Sequence, residues 1–251
     1  MATVIAVTGK GGVGKTTVAA LIIRYLRANA AGAILALDAD PDSNLAAVLG
    51  VEVETTIGDL REDVLQQMKD WPAGMSKQAY VEAGLHQIIV ETPKVDVIAM
   101  GRGEGPGCYC FINNLLRKFA DELMPAYEWV VMDNEAGMEH LSRRTASKID
   151  HLIVVVNDVP LAIDSAKRID KLLRDLDRDV RGKYFVLNAV RPDRQAVVLE
   201  RLAETDLEYL GSIPRDEALE EALFRGDPIY ALEDTPAVGT MDEMMRKIGV
   251  G

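Results

Sequence analysis

A chain of 251 residues with 48% hydrophobic content can bury one large core, and a single domain spanning 1–251 is expected. Its net charge of −12 excludes a general nucleic-acid surface, which needs clustered Lys and Arg. No apolar run approaches the roughly 18 residues of a membrane span, and the N-terminus enters a strand without a leader pattern, so a cytoplasmic protein without membrane attachment is expected.

In chain order, short apolar runs at 3–8, 33–37, 95–100, 129–132, 152–156, 184–187 and 209–213 alternate with helical patterns. Each run is nearly continuous in apolar character, as strands buried on both faces require, which predicts an α/β fold with a mostly parallel sheet and helices on both faces. The first helical pattern covers 18–28. Another runs over 162–176, where Ala166, Ile169, Leu173 and Leu176 recur on one face. The stretch 52–92 is less regular. It holds helical segments around 60–68 and 76–85, separated by Trp71-Pro72, and is expected to form a peripheral helical insertion.

The first run leads into Gly9-Lys10-Gly11-Gly12-Val13-Gly14-Lys15-Thr16-Thr17, which fits G-x-x-x-x-G-K-[ST] between a strand and a helix. Such a P-loop cradles phosphates with backbone N–H groups, here from Gly11 to Thr17. Lys15 reaches the β and γ oxygens, and the Thr16 hydroxyl reaches Mg²⁺.

The second run ends in Leu37-Asp38-Ala39-Asp40-Pro41-Asp42-Ser43-Asn44. Ligands of open α/β sheets sit outside the carboxyl ends of strands, where Asp38 suits Mg²⁺ through water and Asp40 suits orienting an attacking water. The same residues also make good turn and N-cap chemistry, so both readings stand here. Val130-Val131-Met132-Asp133 ends a further strand in the Walker-B position, where an Asp holds Mg²⁺. Gly137 lets the following loop track the γ-phosphate.

Lys10 in addition to Lys15, Asp38-Ala39-Asp40-Pro41 and Asp133-Asn134-Glu135-Ala136-Gly137 together resemble the deviant Walker-A ATPases, which include nitrogenase iron protein, MinD and ParA. The resemblance runs from Thr3 to about Ile248. It implies a nucleotide-dependent homodimer in which Lys10 reaches the partner's nucleotide, a cation supplied in trans as an arginine finger is. Asn188, ending the sixth run, can bond both edges of adenine through its amide, with the Ile213-Pro214 turn packing nearby. Arg191 stands where guanine-specific relatives carry Asp, so ATP is the expected nucleotide.

Gly101-Arg102-Gly103-Glu104-Gly105-Pro106-Gly107-Cys108-Tyr109-Cys110 carries the chain's two cysteines just before a helical run at 111–123. A helix N-terminus lowers thiol pKa values, and thiolates bind soft or borderline metals. Two sulfurs do not close a four-coordinate site. His86, His140 and His151 are possible further ligands; the same pair from a second subunit gives four thiolates from one loop.

With this feature the chain is similar to the CooC-type maturation ATPases, through Cys108 and Cys110 and through Asp133 with Ala136-Gly137-Met138-Glu139-His140-Leu141. That resemblance implies Ni²⁺ or Zn²⁺ at an intersubunit cysteine site, and as client a nickel enzyme, carbon monoxide dehydrogenase or its acetyl-CoA synthase partner. Glu135 departs from the small residue expected there. Met138 and Glu139 stand where nitrogenase iron protein places a cluster cysteine, which disfavours an electron-transferring ATPase. A MinD-like membrane role needs a basic amphipathic C-terminus, yet 241–250 sets Arg246 and Lys247 against Asp242 and Glu243.

Overall fold

A computed structural model describes residues 2–67, 77–101, 123–135, 149–175 and 180–251. Seven strands form one sheet: β1 (Thr3–Gly9), β2 (Ile34–Ala39), β3 (Val95–Ala99), β4 (Trp129–Asn134), β5 (Ile149–Val156), β6 (Val180–Asn188) and β7 (Glu208–Ile213). Their order is β3-β2-β4-β1-β5-β6-β7, and every pairing between them is parallel.

Each apolar run of the sequence coincides with one of these strands, with Ala33 and Met100 falling just outside β2 and β3. The observed β5 and β6 begin earlier than the apolar runs at 152–156 and 184–187 suggest. Polar Asp150, His151, Arg181 and Lys183 interrupt the hydrophobic pattern while the ladder continues through them. Asp150 is buried and accepts the Val4 N–H at 3.0 Å, so its polarity is spent on neighbouring β1. Arg181 is exposed.

Eight α-helices lie among the described residues. The first, α1 (Lys15–Asn29), buries Val18 through Ile23 without interruption. An amphipathic pattern would bury only one stripe. Here β1 and β4 cover one side, while α2 (Leu45–Val48) and the last helix, α8 (Pro236–Lys247), cover others. Between β2 and β3 stand α3 (Ile57–Gln67) and α4 (Lys77–Gln87), which meet where Leu60 lies against Gly84. Leu60, Val64, Leu85 and Ile88 join the common core. Met68, Trp71-Pro72 and Ser76 of that stretch lie outside the described residues.

The expected face recurs in α5 (Pro160–Asp175), where Ala162, Ala166, Ile169 and Leu173 are buried; Leu176 lies outside the described residues. The chain then passes through α6 (Pro192–Leu202) to β7, α7 (Glu217–Arg225) and α8. One buried carboxylate joins the last two helices. Asp216 Oδ1 accepts the Ala218 and Leu219 N–H groups that open α7, and Oδ2 accepts Ala237 N–H in the first turn of α8. Burial opposes its ionised form, but these amide bonds and the Thr235 hydroxyl outweigh burial and hold the carboxyl below its usual pKa. Arg24 of α1 fastens the same region by donating from Nε and Nη2 to the Leu232 carbonyl, at 3.2 and 2.9 Å.

Candidate nucleotide and Mg²⁺ site

β1 is central, and successive strands build away from it on opposite sides, so the crevice at its carboxyl end is the switch point where such sheets bind ligands. The loop Gly9–Gly14 starts there. Gly9 has φ +152°, and a Cβ would stand 2.5 Å from the Val155 carbonyl oxygen of β5. Gly14, at φ +90°, would place one 2.3 Å from Asn188 Nδ2. Both glycines are therefore required sterically, one by a neighbouring strand and the other by the asparagine assigned to the base.

Asn188 donates from Nδ2 to the Val13 carbonyl at 2.8 Å, which ties the end of β6 to the phosphate loop. Its Oδ1 and second N–H remain for a base edge. The Ile213-Pro214 turn lies beside it: Ile213 pairs with Asn188, its carbonyl accepts Ala189 N–H at 3.0 Å, and Pro214 is exposed.

Lys15 opens α1 and is only 7% exposed, while Lys10 is half-buried on the loop. Across from them, parallel register makes Asp38 of β2 and Asp133 of β4 direct partners, about 4.8 Å apart in the backbone and on the same face. Asp38 is wholly buried. Its Oδ1 accepts Asp40 N–H at 3.1 Å and its Oδ2 accepts Leu45 N–H at 2.8 Å. The turn role and the placement at the site thus coincide in one carboxylate. Asp40 is half-buried at the rim, its Oδ1 accepting Asp42 N–H.

Asp133 is 1% exposed, and among the described residues neither carboxylate oxygen has a partner at full hydrogen-bond geometry. Burial pushes its pKa up to about 7; the Thr16 hydroxyl and the Lys15 charge favour the ionised form, and Asp38 and Asp40 oppose it. Burial likewise raises Asp38 to about 6, against the Leu45 and Asp40 amides, which lower it. Two buried carboxylates held near neutrality beside a threonine hydroxyl fit a hard divalent cation with oxygen ligands, such as Mg²⁺.

Asn134 has a structural role that no motif in the sequence assigns. Its Nδ2 donates to the Val7 carbonyl at 2.9 Å, locking the strand end behind Asp133 to the strand that feeds the phosphate loop. Only its place after the Walker-B Asp hinted at this.

Of the proposed metal ligands, Cys108, Cys110 and His140 lie outside the described residues, as do Ala136, Gly137, Met138, Glu139 and Leu141. Among the described residues no group of three or more His, Cys, Asp or Glu side chains could hold a metal ion. His151 stacks on Tyr184 at the end of the sheet away from the phosphate loop. No helix among the described residues is long and apolar enough to cross a membrane. At the far end of α1 an open cavity of about 480 Å³ is lined by Arg24, Arg27, Lys94 and Tyr230. Its cations are already engaged: Lys94 caps the Arg27 carbonyl, Arg24 holds Leu232, and the Arg27 guanidinium lies over the Tyr230 ring.

A parallel sheet with a glycine-rich loop after its central strand, a buried lysine opening the next helix and paired aspartates opposite defines a P-loop nucleotide-binding protein. The chain matches the CobQ/CobB/MinD/ParA nucleotide binding domain over residues 4–229 and belongs to that family of ATPases. It is 42% identical over 248 residues to an uncharacterized ATP-binding protein of Methanocaldococcus jannaschii, covering 98% of each chain. It is 30% identical over 260 residues to the carbon monoxide dehydrogenase accessory protein CooC of Rhodospirillum rubrum, covering 98% of this chain and 97% of that one. Among solved structures, the septum site-determining protein MinD complexed with Mg-ADP from Pyrococcus horikoshii superposes with a TM-score of 0.68 at 21% identity, covering 99% and 96%.

Proposed function

We infer that this protein is an ATP-hydrolysing maturation factor that binds Ni²⁺ or Zn²⁺ between two subunits through Cys108 and Cys110 and assists nickel insertion into carbon monoxide dehydrogenase or acetyl-CoA synthase. The observation that carries the reading is the 30% identity with CooC along almost the whole length of both chains. The Cys-x-Cys element supplies the chemistry that the reading needs.

In this reading the amides of Gly11, Gly12, Val13, Gly14, Thr16 and Thr17 cradle the phosphates, Lys15 faces the β and γ oxygens, and Asn188 with Pro214 receives adenine. Thr16, Asp133 and, through water, Asp38 would hold Mg²⁺, which neutralises phosphate charge when bound. Asp40 orients the attacking water. Lys10 crosses to the partner's nucleotide, so the catalytic site is complete only in the dimer. The dimer also brings four thiolates together, and hydrolysis would open both arrangements in one event.

A MinD-like positioning role is the second reading, favoured by the fold. Helix α8 is not itself a membrane-binding face, because its Ala237, Val238, Met241, Met244 and Met245 are already buried in the core. The deciding experiment supplies nickel-free carbon monoxide dehydrogenase with limiting Ni²⁺, with and without this protein and ATP. Activation that requires both supports the proposal. Activation by Ni²⁺ alone at the same rate would contradict it.

A further inference from the structure

We propose that the Ser43 hydroxyl is a positioning group that carries nucleotide state from the loop 38–44 to Gly101, the residue from which the segment bearing Cys108 and Cys110 departs. The reading above supplies the reason such a link would matter, since it makes those thiols the output of the ATPase.

Ser43 is one of two non-glycine residues with positive φ among the described residues, at +48°. That conformation is strained for a residue with a Cβ and persists only where the surroundings impose it. Here the surroundings are Asp40 on one side and Gly101 on the other. Ser43 N–H donates to the Asp40 carbonyl at 2.9 Å, and its hydroxyl donates to the same carbonyl at 3.3 Å. The hydroxyl oxygen in turn accepts Gly101 N–H at 3.1 Å. A continuous path therefore runs from the residue assigned to the attacking water, through one side chain, to the start of the cysteine-bearing segment.

The other contacts of that departure point belong to the frame. Met100 N–H donates to the Asp38 carbonyl at 2.8 Å, extending the rung between β2 and β3, and the Met100 carbonyl accepts Gly58 N–H at 2.8 Å from the first turn of α3. Gly101 itself, at φ +64°, is pressed against Thr56, whose Oγ1 would stand 2.2 Å from any Cβ. Thr56 is in turn held by Asp59, which accepts its N–H and hydroxyl at 2.8 and 2.7 Å. Sheet and helix thus fix Met100 and the far side of Gly101. Among the described residues, the hydrogen bond between Gly101 itself and the loop assigned to the γ-phosphate is the one to the Ser43 hydroxyl, so a shift of Asp40 reaches Gly101 through this hydroxyl.

The chain's two cysteines are Cys108 and Cys110, so an aromatic disulfide reagent reads this segment alone. The experiment measures thiol reaction rates of metal-depleted full-length protein with Mg-ADP and with Mg and a non-hydrolysable ATP analogue. One neutral hydrogen bond is worth about a 2- to 12-fold change in population, and the wild-type rates should differ between nucleotides by a factor in that range. Ser43→Ala should bring the ratio below about 1.5 while keeping nucleotide affinity, titrated separately, within about 2-fold. Ser43→Gly, which relieves the positive φ and guards against a folding defect, should lose the ratio too. A wild-type ratio of one, or a full ratio retained by Ser43→Ala, would overturn the proposal. Neither result bears on whether the thiols hold a metal, and a failure to hold one would leave the ratio intact.

Discussion

Replacing Asp133 by Asn separates the cost of the buried carboxylate from its use. In the folded protein its pKa is raised from 3.8 to about 7, so the folded state holds a proton that the unfolded state has released. Stability from this group is therefore fully present below about pH 4 and is lost as pH rises through about 7. At about 1.4 kcal/mol per pH unit, the nucleotide-free protein at pH 8 carries an uncompensated cost of roughly 2–4 kcal/mol. The amide is neutral at every pH. Asp133→Asn should then raise the melting temperature without nucleotide or Mg²⁺ by roughly 5–15 °C at pH 8. At pH 4, where the wild-type carboxyl is itself protonated, the two should nearly coincide. The same variant should lose most of the stabilisation that Mg-ATP gives the wild type. Differential scanning fluorimetry at the two pH values, with and without Mg-ATP, measures all of this. A variant no more stable than wild type at pH 8, or one with the full Mg-ATP shift, would refute the assignment of Asp133 as a carboxylate poised for a cation.

Lys15→Ala should lower ATP turnover by at least about 100-fold, because it removes the buried cation proposed to face the transferred phosphoryl group. Asp40→Ala should bind nucleotide with near-wild-type affinity yet lose turnover, a transition-state effect visible in kcat rather than in a binding titration. Lys10→Ala should weaken the ATP-dependent shift from monomer to dimer in light scattering, and an unchanged mass distribution would remove its role in trans. Asp216→Ala unties two helix starts at once and should cost roughly 2–4 kcal/mol in denaturant unfolding at pH 7. Because the Asp216 pKa is lowered on folding, that difference should shrink as pH falls below about 4.

The sheet was legible because strands buried on both faces must be apolar, and the seven runs needed no finer signal. Strand limits were not, since Asp150 and Lys183 look like breaks until the ladder around them is known. The phosphate loop was readable from spacing because backbone geometry demands glycine at Gly9 and Gly14, and both demands proved to be collisions with distant residues, Val155 and Asn188. The pairing of Asp38 with Asp133 is a register property of β2 and β4, which are not consecutive, so their mutual burial had no local sign. Asn134 and Ser43 escaped notice for a related reason. Each acts through one hydrogen bond to a backbone group remote in sequence, and a single polar residue after a strand carries no periodicity to reveal it.

The central claim is that two subunits share one metal ion through Cys108 and Cys110. The most direct measurement is metal content per protein mass, taken on anaerobically purified protein loaded with Ni²⁺ or Zn²⁺, together with its oligomeric state and the sulfur coordination seen by X-ray absorption. The account predicts one ion per dimer with four sulfur ligands, near 2.3 Å for Zn²⁺, and no binding by Cys108→Ser or Cys110→Ser. Full metal affinity in both variants, or an iron-sulfur spectrum in place of a single ion, would contradict it.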